Sequence, residues 1–368
     1  MRYKFSEIAE NSVAKRVPAE DDKQNYIGLE HLISGSLTIP AWGSEVALKG
    51  EKLIMKKGDV LFGKRNTYLR RVGIAPHDGL FSAHGMILRP QSSIVDAMYF
   101  PFFINSDKFF NEAIKISVGS LSPTVNWKDL KELEFDLPPI ERQRELANLL
   151  WAANDLKESY KKAIIATDEM LKAKFREMFG DTEFTTIDSV CEILNGYAFK
   201  SKEYVSSGVR IIRITNVQKG YIEDLTPAFY PLERSREFNK FLLRKDDLLM
   251  SLTGNVGRVG LLPESMLPSA LNQRVACLRI RDDSIIDKYF LYAVLNRSEF
   301  ERDCIDASNG SAQKNASTEW LKKYAIPLPP LSLQREFVAI AERADAAKSA
   351  LKQSIADIDQ VMKGLINQ

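Results

Sequence analysis

One short stretch occurs twice in this 368-residue chain and limits what it can fold into. The first copy is Leu137-Pro138-Pro139-Ile140-Glu141-Arg142-Gln143-Arg144-Glu145. The second is Leu328-Pro329-Pro330-Leu331-Ser332-Leu333-Gln334-Arg335-Glu336. Adjacent prolines hold a segment extended, because the residue before each is pushed out of the α region. A helix can start just afterwards, with Glu141 and Glu145 near its positive end. With Leu146 at heptad position a, the a residues are Leu146, Ala153, Tyr160 and Thr167. The d residues are Leu149, Leu156, Ala163 and Met170, and Leu150, Ile164 and Leu171 widen the stripe. In the second copy Phe337, Ala344, Leu351, Ile358 and Leu365 hold a, while Ile340, Ala347 and Val361 hold d. One shift of 191 residues maps Leu137 to Leu328 and Leu146 to Phe337. Such patterning predicts two long helices, each roughly 50–60 Å at ~1.5 Å per residue, paired as a coiled coil. An ordinary amphipathic surface helix is the alternative for either one alone. Leu156 and Leu351 are expected at the seam. Arg142, Lys157, Lys161, Lys172, Arg343, Lys348 and Lys352 are expected on the outer faces.

The segments before each helix also repeat. Lys57-Gly58-Asp59-Val60-Leu61 matches Lys245-Asp246-Asp247-Leu248-Leu249, and Arg71-Val72-Gly73 matches Arg258-Val259-Gly260. Asn105, Phe109, Ile114, Gly119 and Ser120 match Asn296, Phe300, Ile305, Gly310 and Ser311. Short apolar runs at 52–55 and 59–62 read as strands, and 99–116 reads as helix. An internal repeat, its shift drifting from 179 to 191 residues along the chain, decides the architecture. The expected fold is α+β: two repeated domains, 1–136 and 181–327, joined by two long antiparallel helices at 137–180 and 328–368. These form a coiled coil with pseudo-twofold symmetry and the domains at opposite ends.

Several function classes are excluded at this level. With 45% hydrophobic and 27% charged residues the chain reads as globular, not disordered. No apolar run approaches ~20 residues, and no signal peptide opens the chain. Three widely spaced cysteines form neither a disulfide framework nor a zinc signature, which fits a reducing cytoplasm. There is no phosphate-binding P-loop, no G-x-S-x-G elbow and no H-E-x-x-H. Asp136-Leu137-Pro138-Pro139 differs in residue order from the methyltransferase motif of Asn/Asp-Pro-Pro-aromatic. Three histidines, His31, His77 and His84, are too scattered for a metal site.

The remaining candidates are basic and polar loops. In the first domain Lys64, Arg65, Asn66, Tyr68, Arg70 and Arg71 lie in one loop after a strand, with His84 further on. In the second, Asn255 and Arg258 occupy the counterpart loop, and Arg213, Asn216, Asn272, Gln273, Arg274, Lys314 and Asn315 lie in neighbouring polar segments. Arg234, Arg236 and Lys240 are further cations there. Arg, Lys and Asn can bond base edges, and Arg and Lys can bond phosphates. A solvated loop is the plain alternative for each, and a structural role is the alternative for a lone histidine. A net charge of +2 does not decide between them.

Two variable domains, each closed by Leu-Pro-Pro, Gln-Arg-Glu and a long helix, resemble the specificity subunit of type I restriction-modification systems. Gly196-Tyr197-Ala198-Phe199-Lys200-Ser201-Lys202 and Ile212-Arg213-Ile214-Thr215-Asn216-Val217 are similar to the opening of a target-recognition domain of that family. The first domain lacks the Gly-Tyr-Ala-Phe-Lys segment. The resemblance implies a non-catalytic subunit that binds double-stranded DNA, each domain reading half of a bipartite site. It implies two methylation subunits docked on the helices, with the outer-face cations Arg142, Lys157, Lys161, Lys172, Arg343, Lys348 and Lys352 expected as part of the dock. These subunits bring S-adenosylmethionine, and restriction subunits that use ATP and Mg2+ are able to join. No cofactor is expected in this chain. A coiled-coil adaptor binding proteins through both domains, and an enzyme with an unrecognised site, stay open beside this reading.

Overall fold

The computed structural model describes residues 1–308 and 316–367. The chain divides into two compact units, one of Met1–Ala163 with Ala350–Gln368, the other of Ile164–Ser349.

Unit one opens with β1 (Arg2–Lys4) and α1 (Phe5–Ile8), followed by β2 (Ala9–Ser12), β3 (Lys15–Arg16), β4 (Tyr26–Ile27), β5 (Lys52–Met55), β6 (Val60–Phe62), β7 (Val72–Ile74), β8 (Gly79–Phe81) and β9 (Met86–Pro90). Helices α2 (Phe100–Ile104), α3 (Asp107–Lys115) and α4 (Trp127–Leu130) come next, then β10 (Glu134–Asp136) and the first part of α5 (Ile140–Phe179). The strands make a four-stranded sheet ordered β2-β9-β6-β7, a second ordered β3-β5-β8-β4, and the pair β1-β10. The helical pattern expected over 99–116 is two helices, because Ser106 breaks it by accepting the Phe109 N–H as an N-cap. Phe5, Phe62, Phe103, Phe109 and Phe135 form the centre of the core. Phe109 touches the Phe5 ring at 5.3 Å and the Phe135 ring at 5.7 Å between centroids.

Unit two repeats the plan. After the second part of α5 come β11 (Phe184–Thr186), α6 (Ile187–Val190), β12 (Cys191–Asn195), β13 (Val209–Ile212), β14 (Phe229–Tyr230), β15 (Leu248–Ser251), β16 (Val259–Leu261), β17 (Ser269–Leu271) and β18 (Val275–Ile280). Then come α7 (Lys288–Leu295), α8 (Ser298–Ser308), α9 (Thr318–Lys323), β19 (Ala325–Pro327) and α10 (Leu331–Ile366), whose last turns belong to unit one. The sheet β12-β18-β15-β16 has the order of β2-β9-β6-β7, and β11-β19 repeats β1-β10. The tight turn into β6 uses Gly58 at φ +90°, and its counterpart into β15 places Asp246 at φ +59°. A left-handed residue is needed at this point, and the second unit fills it without glycine. The turn is held the same way in both units. Asp59 accepts the Lys56 N–H and pairs with Arg89, while Asp247 accepts the Arg244 N–H and pairs with Arg279.

The repeated motif has a physical role that its spacing did not disclose. Gln143 is 1% exposed. Its amide donates to Ile94 O at 3.1 Å and Pro138 O at 2.9 Å, and its Oε1 accepts the Asp96 N–H at 2.9 Å. Gln334 does the same with Ile285 O at 3.0 Å, Pro329 O at 2.7 Å and the Asp287 N–H at 2.7 Å. Asp96 and Asp287 in turn cap the backbone that follows each. The glutamine therefore ties the start of each long helix to the turn that leads into the neighbouring helices.

Within each unit the long helices run antiparallel, but the seam is not where apolar counting put it. In unit one the buried α5 residues are Gln143, Leu146, Ala147, Leu150, Asn154 and Lys157. Leu149 and Leu156 are 53% and 44% exposed. Leu156 is thus a corrected expectation, while Leu351 is half-buried. Lys157 and Lys348, expected outside, lie in the seam: Lys157 Nζ meets Asp359 at 2.8 Å in unit one, and Lys348 Nζ meets Asp168 at 2.8 Å in unit two. These pairs are equivalents under the 191-residue shift. Polar residues occupy half of the true seam, so a search for apolar a and d positions settled on the neighbouring stripe. Further along, Phe175, Phe179 and Phe337 fill the seam of unit two, with ring centroids 5.0–5.4 Å apart.

Candidate nucleic-acid interface

In unit one three segments meet: the loop after β6 (63–71), the turn between β8 and β9 (82–85), and residues 118–126. Backbone bonds join them. Gly63 N donates to Arg71 O, Arg65 N to His84 O, Asn66 N to Pro123 O and Val125 N to Lys64 O. Asn66 and Arg70 adopt left-handed conformations, φ 53° and 51°, at the two ends of a single 3-10 turn. That geometry turns Tyr68 outward, 55% exposed. Arg65 and His84 are exposed and Lys64 is half-buried. Burial, and secondarily the neighbouring Lys15, lower the Lys64 pKa. The two other arginines of the loop are used internally. Arg70 pairs with Asp107 at 2.5 Å and lies over the Phe110 ring, and Arg71 donates to Leu29 O and Arg65 O. Lys15 and Lys52 also act on this cluster and were missed by the sequence reading. They arrive through the pairing of β3 with β5, a long-range register that no local pattern signals.

Unit two brings the equivalent segments together with different side chains. Ser251 N donates to Arg258 O, Leu252 N to Arg274 O and Ala316 N to Leu252 O. Asn255, Gln273 and Arg274 are exposed and Asn272 is half-buried. Asn272 Oδ1 accepts the Arg274 N–H at 3.3 Å, and the Gln273 N–H bonds to Tyr197 O at 3.0 Å. The Tyr197 segment, read from sequence as a family opening, thus underlies this turn. Arg258 Nη1 donates to Gln218 Oε1 at 2.7 Å, and Arg213 donates to Thr226. Asn216 is 2% exposed and its amide is committed to the backbone of Arg213 and Glu223 and to Asp224. His31 is its counterpart: His31 Nδ1 accepts the Gly28 N–H as Asn216 Oδ1 accepts that of Arg213. Arg234 is held by Glu203 and Glu237, while Arg236 and Lys240 are exposed. Lys314 and Asn315 lie outside the described residues.

Among the described residues no group of three His, Cys, Asp or Glu side chains could hold a metal ion, and no helix is long and apolar enough to cross a membrane.

The family model described as type I restriction modification DNA specificity domain matches residues 3–166 and again 180–360. The type I restriction enzyme MjaVIII specificity subunit of Methanocaldococcus jannaschii is 23% identical over 362 residues, covering 92% of this chain and 82% of that protein. The EcoBI specificity subunit of Escherichia coli is 28% identical over 179 residues, 48% of this chain and 34% of that protein. Among solved structures, a type I specificity subunit from M. genitalium aligns with TM-score 0.60 at 13% identity, covering all of this chain and 94% of that one. A chain from a structure of type I restriction-modification complex assembly aligns with TM-score 0.62 at 18% identity, covering all of this chain and 96% of that one.

Proposed function

We propose, because the chain belongs to the type I restriction-modification DNA specificity family, that each unit reads one half of a bipartite double-stranded DNA site through its three-loop cluster. The chain is a DNA-recognition subunit and not the catalyst. One observation carries the division of labour. Both units join the same three segments, with two equivalent backbone bonds and a third shifted by one residue, yet fill them differently: Lys64, Arg65, Tyr68 and His84 in one, Asn255, Gln273 and Arg274 in the other. A shared frame with unlike side chains suits two readers of unlike sequences. Arg274 and Asn255 are exposed and able to make bidentate base contacts, each worth about 1–3 kcal/mol of discrimination. Lys64 and Arg65 suit phosphates, with Arg70 and Arg71 bracing their loop. Arg213, Arg258, Asn272 and Asn66 support these loops from behind. The buried Asn216 acts through loop shape. Lys314 and Asn315 complete the unit-two proposal.

The exposed apolar residues of the long helices are the proposed docks for methylation subunits. Leu149, Leu156 and Val361 in unit one and Ile165 and Met170 in unit two present large side chains to solvent. Exposed apolar clusters of this kind mark association surfaces. S-adenosylmethionine, and ATP with Mg2+ for any restriction subunit, would be held by those partners. A protein-binding adaptor gains no support from a DNA-specificity model that matches both halves.

The test is an exchange of residues 181–327 for the equivalent segment of another such subunit, with methylated adenines mapped across a genome. The half-site read by unit one persists and the other changes. If both change, or neither does, the modular reading is wrong.

A further inference from the structure

The two clusters differ in one respect that bears on the solution around them. His84 in unit one stands where unit two carries Arg274: Met86 pairs with Phe62 as Ala276 pairs with Met250, and each of the two residues lies two positions before its strand partner. An arginine is always charged, whereas an imidazole titrates near neutrality. His84 is exposed on the turn between β8 and β9. The charged groups that act on it are Arg65 and Lys64 from the loop after β6 and Lys52 from β5. None of them is a carboxylate. From β4 the nearest titratable group is Tyr26, whose hydroxyl bonds to Ser82. Residues 118–126 bring Ser122, which bonds Arg65 and carries no charge.

We infer that His84 is a proton-linked DNA contact, so that unit one grips DNA more tightly as pH falls through the neutral range while unit two does not respond. This rests on the proposal that the loop clusters bind DNA. In the free protein, burial and then the three neighbouring cations lower the pKa of His84, which favours the neutral ring. A phosphate laid across Lys64 and Arg65 offsets those cations and offers the imidazolium an anion, which favours the charged form. Binding then takes up a proton on His84. Each unit by which DNA raises that pKa adds about tenfold to affinity at low pH. The other two histidines are placed otherwise. His31 Nδ1 accepts an N–H bond inside its own loop, and His77 packs against Trp42.

The experiment uses the full chain and a short duplex DNA, with Kd measured by fluorescence anisotropy from about pH 8 to about pH 5.5 at fixed salt, a range set by the histidine pKa. The expected result is a tightening of about 3–10-fold, with a steeper salt dependence at the low end because one more cation faces phosphate. His84→Gln removes the pH response. His84→Arg gives the low-pH affinity at every pH, which also shows that the turn still folds. Arg274→Gln weakens binding but leaves the response intact. Salt-dependent DNA binding with no pH response overturns this inference alone. So does a response that survives His84→Gln, or one that is lost with His77→Gln. Failure to bind DNA at any pH or salt overturns the underlying reading of the loops instead.

Discussion

Replacing Gln143 or Gln334 by glutamate is the sharpest test of how the repeated motif works. The substitution keeps size and shape and keeps the oxygen that accepts the Asp96 or Asp287 N–H. It turns the donating amide nitrogen into an oxygen facing two backbone carbonyls, Ile94 and Pro138 in one case, Ile285 and Pro329 in the other. Each carbonyl loses its donor in a site where the side chain is at most 1% exposed. An orphaned buried acceptor costs about 1–3 kcal/mol, so two cost about 2–6 kcal/mol before any charge is counted. Urea unfolding separates the units in single-tryptophan variants: Trp151, bonded to Met98 O, kept alone reports on unit one, and Trp320 kept alone reports on unit two. Gln143→Glu should lower the midpoint seen by Trp151, and Gln334→Glu the midpoint seen by Trp320, by similar amounts. The deficit should shrink as pH falls, since the new carboxyl is buried and a protonated one regains a donor. A cost below about 1 kcal/mol in either variant would show that the bonds are dispensable.

The other expectations follow from the seam and the core. Lys157→Asp should destabilise unit one by about 1–3 kcal/mol, less than a fully buried pair because Asp359 is half exposed, and adding Asp359→Lys should restore most of it in the same unfolding assay. Leu156→Ala should cost under about 0.5 kcal/mol in stability, as befits an exposed position, yet weaken co-purification of a methylation subunit. Burial pushes the Cys191 and Cys304 thiols up to about 12 and Cys277 well above its usual value. Iodoacetamide should therefore label none of the three until urea is added. Stability should fall as pH rises past about 8.5, where unfolded thiols ionise and folded ones do not.

The repeat was legible because it is written in side chains that punctuate the backbone. Leu-Pro-Pro and Gln-Arg-Glu recur at one shift of 191 residues, and the matched loop residues at nearby shifts. The helix phase was not legible. Gln143, Asn154, Lys157 and Lys348 sit in the seam on the strength of bonds to distant residues, and hydrophobicity alone assigns them to water. In the candidate interface the local loops were found, since clustered Lys, Arg and Asn after a strand are visible in sequence. What each cation does was not visible. Arg70 is taken by Asp107 across 37 residues, Asn216 is folded inward, and Lys15 and Lys52 arrive only when β3 pairs with β5. Long-range partners decide whether a polar side chain is a tool or a brace.

The placement of charge in the two helices also acts as an address. Lys157 and Lys348 occupy equivalent positions of the repeat, as do Asp168 and Asp359. Run in opposite directions, lysine meets aspartate twice. Run side by side in the same direction and in register, lysine would face lysine and aspartate would face aspartate across the seam. Repulsion of that kind discriminates between pairings more strongly than it strengthens either one. The polarity of the helix pair is thus encoded by four residues that add little to its overall adhesion.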